Sequence, residues 1–540
     1  MAENAAVCDA LAGQIQTDAN SYLETTMRKV HESAIQNFAR CTAISFCLLL
    51  ATTPAGVAEA QDAWLKVSSP HYLFVGNTDA GEIREVAVKF EQFRHAFLQL
   101  FPAFGLSAPA PTTVVVFKGD QTYRQFRPLN QGKPAEFVSY FQAGLDVNYI
   151  VLSLEHDPVE LYIKLFHESV HMLIDSNSRG TPDWLNEGLA QYYSTFEFHD
   201  AEKQSRIGKA MAQNIHILRT RQFLSLDTLF AFERSSANYY ERERAGIFNA
   251  QSWALVHYLM TAKNGQRQLQ LLRFMELLSA GIPAEQSFRR AFQADYKTIE
   301  KELREYILRE NYPVKSTSLN EQLPALPEMK AATLAAAETH YFLGDLLLHI
   351  NRHEDAAKHL QKSLSLDPRL GLAYASLAMT RVRQRKFAEA KLLSQQAIAI
   401  APDHYLTHYY YAYALSREGM DEEQTINRYE PARAQLMRAE LSRAIALKPG
   451  FPESYRLLAF INLVTGEELE EAVNLLARAL ALAPGRPDIK LILAQVQLRK
   501  KDLPAARNTL TQLVNSGANS RIRTRAQSML DGIKAEATSR

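Results

Sequence analysis

Residues 157–193 read DPVELYIKLFHESVHMLIDSNSRGTPDWLNEGLAQYY, and this stretch decides the fold of the first half of the chain. Asp157 is a helix-capping residue, Pro158 suits a first helical turn, and Glu160 completes a capping-box-like pair. Val159, Ile163, His167 and His171 then recur in steps of four, which puts them on one ridge of a helix. Phe166, Val170, Leu173 and Ile174 supply the apolar surface that seats this helix in a core. Both imidazoles therefore project the same way, one turn apart, and can bind one metal ion. Glu168 lies one residue round the helix, within reach of a metal-bound water without being a ligand. The polar segment from Asp175 to Gly180 lets the chain reverse, and Thr181-Pro182 opens a second helix. Glu187 on that helix is placed to face the histidines as third ligand of an open zinc site, and Gln191, four residues on, to orient it.

Upstream the pattern changes to strands. Tyr72 to Val75 reads as a strand closed by Gly76, and Thr112 to Phe117 (TTVVVF) as a β-branched strand ended by Lys118-Gly119-Asp120. Between them, Glu82 to Leu100 has helical spacing, with Val86, Phe90, Phe93, Phe97 and Leu100 on one face. Val138 to Phe141 and Asn148 to Leu154 form a hairpin turning near Gly144. The expectation is a small mixed sheet with one packed helix. Either Asn148 to Leu154 or Thr112 to Phe117 is expected to offer an edge to an extended peptide. Downstream, Asp157 to Tyr312 is almost all helical, and Pro313, Pro324 and Pro327 mark a linker.

A capped HExxH helix, a following WLNEGLA segment and a sheet just before them together resemble the gluzincin metallopeptidases. More narrowly, Leu165 to Tyr193 is similar to the small bacterial peptidase-MA-like families, and AQSWALVHY at Ala250 to Tyr258 is similar to a helix those families carry downstream. The gap from His171 to Glu187 is shorter than in the best-known gluzincins, and Asn249 stands where the related families often have an aromatic. The resemblance implies a thermolysin-like zincin domain in which His167, His171 and Glu187 hold one Zn2+. It also implies hydrolysis of peptide bonds with Glu168 as general base. An oxyanion stabiliser is then needed, and Tyr239, Tyr240 and His257 are its candidates. The competing reading is a catalytically silent scaffold of the cell envelope with a vestigial zincin domain, and the intact Glu168 speaks against it. A structural zinc site usually closes with four protein ligands, and three are found.

The second half of the chain repeats. Pro368 and Pro402 stand 34 residues apart, each after two helical patterns. The first unit carries Leu343-Gly344, Ala356 and Leu360; the second carries Tyr374, Leu377-Ala378, Ala390 and Ala397. Further units end at Pro449 and Pro484, and a fifth uses Ala494, Ala506 and Leu510. The third unit is longer, at 47 residues from Pro402 to Pro449, with the extra residues around Met420 to Pro431. Residues 335–516 thus resemble the tetratricopeptide repeat, in which small residues let paired helices approach and proline ends the second. Residues 520–536 are expected to cap the open end. The resemblance implies a groove for a protein partner or substrate; Tyr409, Tyr410, Tyr411 and Tyr413 sit on a repeat's first helix, where some pack and others are placed to line that groove. Removal of residues 331–540 is expected to leave cleavage of a short peptide intact.

Composition sets the limits. In 540 residues, 47% are hydrophobic and 22% charged, and the formal net charge is +1, so no whole-chain field favours nucleic acid or an anionic membrane surface. The apolar run from Cys41 to Thr52 falls short of the roughly 20 residues needed to span a bilayer. Arg28, Lys29 and Arg40 precede it and Ala58-Glu59-Ala60 follows, the layout of a secretory signal peptide, with Met27 as the more ordinary start. Cleavage after Ala60 would remove Cys8, Cys41 and Cys47, every cysteine in the chain. The expected product is exported, periplasmic or secreted, without a stable transmembrane anchor. The expected organisation is a leader (1–60), an α/β subdomain (61–155), a helical catalytic subdomain (156–312), a linker (313–330), the repeat array (331–516) and a capping helix (517–540). The fold class is α+β, followed by an all-α solenoid.

Overall fold

A computed structural model of the chain describes residues 63–100, 110–177, 181–199, 204–232, 242–280, 282–318, 328–418, 426, 428–516 and 520–538. The expected leader with its three cysteines, and Tyr239 and Tyr240, lie outside the described residues. Among the described residues no helix is long and apolar enough to cross a membrane.

The sheet has six strands. Its members are β1 (Leu65–Ser68), β2 (Tyr72–Gly76), β3 (Thr112–Phe117), β4 (Ser139–Gln142), β5 (Asn148–Ser153) and, from far downstream, Ala331–Thr333, in the spatial order Ala331–Thr333, β1, β2, β3, β5, β4. The neighbours β2, β3 and β5 run parallel, while β4 pairs antiparallel with β5, Tyr140 opposite Val151. All six residues of β3 are buried, as are all six of β5. A strand buried throughout must be covered on both faces, and the period-2 alternation shows by what. Phe74, Val114, Val116, Ile150 and Leu152 point into one core with the helix α1 (Ala80–Leu100) and the helical subdomain. Val75, Val115, Phe117, Tyr149 and Val151 point into a second core that they share with the repeats. The sheet is thus packed on two sides, not on the single helix that the sequence suggested.

The helical subdomain follows. Its main elements are α2 (Pro158–Asn177), α3 (Asp183–Ser194), α4 (Ala212–Thr220), α5 (Arg242–Thr261), α6 (Gln266–Ser279), α7 (Ala284–Phe292) and α8 (Tyr296–Ile307). The Asp157 carboxylate accepts from the Glu160 amide at 2.9 Å, which caps α2 where the sequence predicted. Trp184 and Trp253 are buried core residues of α3 and α5. A three-stranded sheet of β6 (Glu197–His199), β7 (Gln204–Ile207) and β8 (Lys315–Ser318) flanks these helices. The start of the expected linker is therefore a strand, because Lys315 to Ser318 pair with Ile207 to Gln204.

The repeats pair helices in turn: α9 (Ala336–His349) with α10 (His353–Leu366), α11 (Gly371–Arg383) with α12 (Phe387–Ile400), and α13 (Tyr405–Arg417) with α14 (Pro431–Leu447). The last two pairs are α15 (Pro452–Thr465) with α16 (Leu469–Leu482), and α17 (Pro487–Arg499) with α18 (Leu503–Val514). The helix α19 (Ser520–Thr538) covers α18. Small residues at the crossings are fully buried, Ala356, Ala378, Ala390, Ala444 and Ala479 among them. The first helix of the array starts at Ala336, next to the start of the repeat resemblance at residue 335 and five residues into the expected 331–516 segment. Before it, the strand β9 (Ala331–Thr333) closes the sheet edge, Thr333 opposite Leu65. The tyrosines Tyr409, Tyr410, Tyr411 and Tyr413 are all buried, Tyr409 edge-on to Phe451. One further expectation is corrected: neither Asn148–Leu154 nor Thr112–Phe117 is a sheet edge, since both strands have neighbours on each side; β4 and β9 are the outer strands among the described residues.

Candidate metal centre

The helix α2 brings His167 and His171 onto one face because they are four residues apart, and their Nε2 atoms stand 3.1 Å from each other. From α3, Glu187 approaches both: one carboxylate oxygen lies 3.8 Å from His167 Nε2 and the other 3.6 Å from His171 Nε2. Among the described residues these three form the one group of His, Cys, Asp or Glu side chains able to share an ion. Glu187 and His171 are buried, and the His167 side chain keeps 21% of its surface open. Glu168, next along α2, is half-buried.

Secondary contacts fix this geometry. The Nδ1–H of His171 donates to Asn186 Oδ1 at 2.8 Å, which leaves the lone pair on Nε2, the atom that faces His167 and Glu187. Gln191 donates to Glu187 Oε1 at 2.8 Å, and Asn214 on α4 donates to Gln191 at 2.6 Å. Sequence spacing found Gln191 but missed Asn186 and Asn214. The glycine of the WLNEGLA segment has its own task. A Cβ on Gly188 would sit 2.4 Å from the Ser252 carbonyl oxygen, so α3 and α5 touch backbone to backbone. That close approach accounts for small residues in both the Glu187-Gly188 pair and the AQSWALVHY run.

The donors fit a zinc ion. Two donors 2.0–2.1 Å from a tetrahedral zinc stand about 3.3–3.4 Å apart; the two Nε2 atoms are 3.1 Å apart, Glu187 brings a different oxygen to each at 3.8 and 3.6 Å, and one donor atom from each residue lies within 4.8 Å of the others. Two imidazoles and one carboxylate are a zinc donor set with a fourth position left for a small molecule. The outer strand β4 packs against α2. A cavity of about 880 Å3 opens beside the first half of α2, lined by Val159, Tyr162, Ile163, Phe166, Phe196 and Met211; the three donor residues are not in its lining.

His257 takes no part. It is fully buried, its Nε2–H donates to the Gly208 carbonyl at 2.8 Å, and Tyr306 O–H donates to its Nδ1 at 2.8 Å. Burial pushes its pKa down to about 4, so it is a neutral core residue with both nitrogens committed. As an oxyanion candidate it is therefore set aside.

Comparison with known proteins identifies repeats in the second half and leaves the first half without an assigned role. Residues 337–370 and 463–530 match family models described as tetratricopeptide repeat, so the C-terminal region carries these repeats. Residues 164–285, which include the three donor residues, match a family described as a protein of unknown function, DUF1570. No curated protein matches the chain. Among solved structures, a thermophilic TPR protein of Thermus thermophilus is 21% identical over 36% of this chain and 99% of its own, with a TM-score of 0.31. PilF of Pseudomonas aeruginosa is 20% identical over 38% of this chain and 88% of its own, with a TM-score of 0.30. YrrB, described as a TPR protein with an unusual peptide-binding site, is 19% identical over 36% of this chain and 92% of its own, with a TM-score of 0.29.

Proposed function

We propose that the chain is an exported zinc metallopeptidase whose repeats engage a protein partner or substrate. The observation that carries this reading is the meeting of His167, His171 and Glu187, with Asn186 holding the His171 lone pair toward the other two. Zinc bound there would polarise a scissile carbonyl and acidify a water. Glu168 is adjacent to His167 and is not one of the three donors, which suits it to take the proton of the attacking water on its carboxylate and pass it to the leaving nitrogen. Asn186 and Gln191 orient the ligand side chains. The outer strand Ser139–Gln142, packed on α2, is the backbone best placed to pair with an extended peptide. Export rests on the Cys41–Thr52 run and the Ala58-Glu59-Ala60 pattern, and the N-terminal sequence of the mature protein tests it.

Metal analysis and peptide hydrolysis, wild type against Glu168→Gln, test the chemistry. Both proteins should hold about one zinc, and the variant should lose at least 100-fold in kcat, roughly the lower end of what a general base contributes. Equal activity would remove Glu168 from the mechanism. A second reading draws on the comparisons, which reach repeats and a family of unknown function: a protein-binding scaffold with an inert donor cluster. Purified protein without zinc would favour it.

A further inference from the structure

The tip between β4 and β5 does not end in solvent. Its Asp146 is buried, and His349 on α9 holds one of its oxygens from Nε2 at 3.0 Å. Tyr410 on α13 donates its hydroxyl to the other oxygen. Beside this pair, Asp345 on α9 accepts from Tyr149 of β5 at 2.6 Å and from Ser376 of α11 at 2.5 Å. His349 Nδ1–H closes the network on the Asp345 carbonyl at 2.7 Å. The helices α9, α11 and α13 are the first helices of three successive repeats; α9 and α13 bond the hairpin directly, and α11 joins through Ser376, which holds the Asp345 carboxylate that Tyr149 donates to. Burial opposes charge here. Even so, the carboxylates of Asp146 and Asp345 raise His349 to about 10, and His349 keeps Asp146 below its usual range.

The grip bears on the candidate centre because Asp146 sits four residues beyond Gln142, the last residue of β4. Alternate residues of β4 face opposite ways: Tyr140 lies in the core shared with the repeats, whereas Phe141 packs toward the core that holds α2. The strand is paired on one side alone among the described residues, so its outer backbone depends on what fixes its two faces and its end. We infer that the groove of the first three repeats is an internal receptor for the β4–β5 hairpin, and that Asp146 and Tyr410 are positioning residues for the strand beside the metal centre. A partner peptide reaches this part of the groove by displacing the hairpin. The link to catalysis rests on the proposed peptidase activity; the structural link does not.

Hydrogen exchange of the full chain tests it, with Asp146→Ala, Tyr410→Phe and wild type compared. Amides of residues 139–142 should exchange at least tenfold faster in both variants, while α2 and the distal α15–α18 keep wild-type protection. On a short peptide, KM should rise by about tenfold with kcat within twofold, the mark of lost uniform binding. Unchanged protection at 139–142 in a folded Tyr410→Phe protein would overturn the inference, as would a fall in kcat at constant KM. Tyr410→Phe removes one hydroxyl and guards against the case in which Asp146→Ala does not fold. Should the wild type hydrolyse nothing, the peptidase reading fails, and exchange alone still decides the placement of the strand.

Discussion

Asn186 shows how much of a metal centre can rest on a neutral side chain. Its oxygen fixes the His171 tautomer, and such partners are worth about 10–100-fold in metal affinity. Asn186→Ala should therefore weaken zinc binding by that factor, measured by chelator competition, whereas Asn186→Asp, which keeps an acceptor, should stay near wild type. Equal affinity of the Ala variant would show the hydrogen bond to be incidental. Gly188→Ala is the backbone counterpart: the added methyl meets the Ser252 carbonyl at 2.4 Å and Val256 at 2.5 Å. Forcing α3 from α5 should cost about 1–3 kcal/mol, read as a lower melting temperature, and should loosen zinc as Glu187 shifts with its helix. The ridge of His167 and His171 was legible because a four-residue step is geometry that a sequence displays. Asn186 was not, since its partner lies across a reversal of the chain and an asparagine inside a helix carries no period of its own. His257 stayed an open candidate for the opposite reason. A histidine in a motif invites chemistry, and the carbonyl of Gly208 that claims it is invisible to spacing.

Among the elements, TTVVVF held more information than the expected one-helix sheet used. An uninterrupted apolar strand calls for cover on both faces, and the second cover had to come from somewhere in the chain. The sequence could not name it, because β9 and the repeat helices lie more than 170 residues downstream of β5. The edge of the sheet was misassigned for a related reason: strand order is a property of the pairing, not of any one strand. The contact of α9 with this sheet also has a pH signature. His349 is raised in the folded state to about 10, above an unfolded value of about 6.5. Its stabilisation is then fully present below the unfolded value and is lost as pH rises through about 10. The gap in melting temperature between wild type and His349→Gln should be widest at and below about pH 6.5 and narrow steadily until it closes toward about pH 10.5. A gap that stays constant over that range would mean the imidazole is held neutral.

At the scale of the whole molecule, the repeats cease to be an appendage. Deleting residues 331–540 would uncover Val75, Val115, Phe117, Tyr149 and Val151, all buried in the core shared with the repeats. At about 1.5–3 kcal/mol for each large apolar side chain, that is roughly 8–15 kcal/mol, as much as the whole stability of an ordinary domain. The same cut removes β9 from the edge of β1 and leaves Tyr149 without Asp345. The comparison of terms goes against the expectation of a separable catalytic half. A chain ending at residue 330 should be insoluble or molten and should bind no zinc. A chain ending after Gly466 keeps α9, α11 and α13 around the hairpin, and also Phe451 against Tyr409. Its loss is confined to the outer repeats, where stability is close to a sum over neighbours, so it should stay folded and hold zinc like the full chain. Circular dichroism, gel filtration and metal content of the two fragments decide the matter, and a folded, zinc-binding fragment ending at 330 would restore the picture of a peptidase domain with a detachable arm.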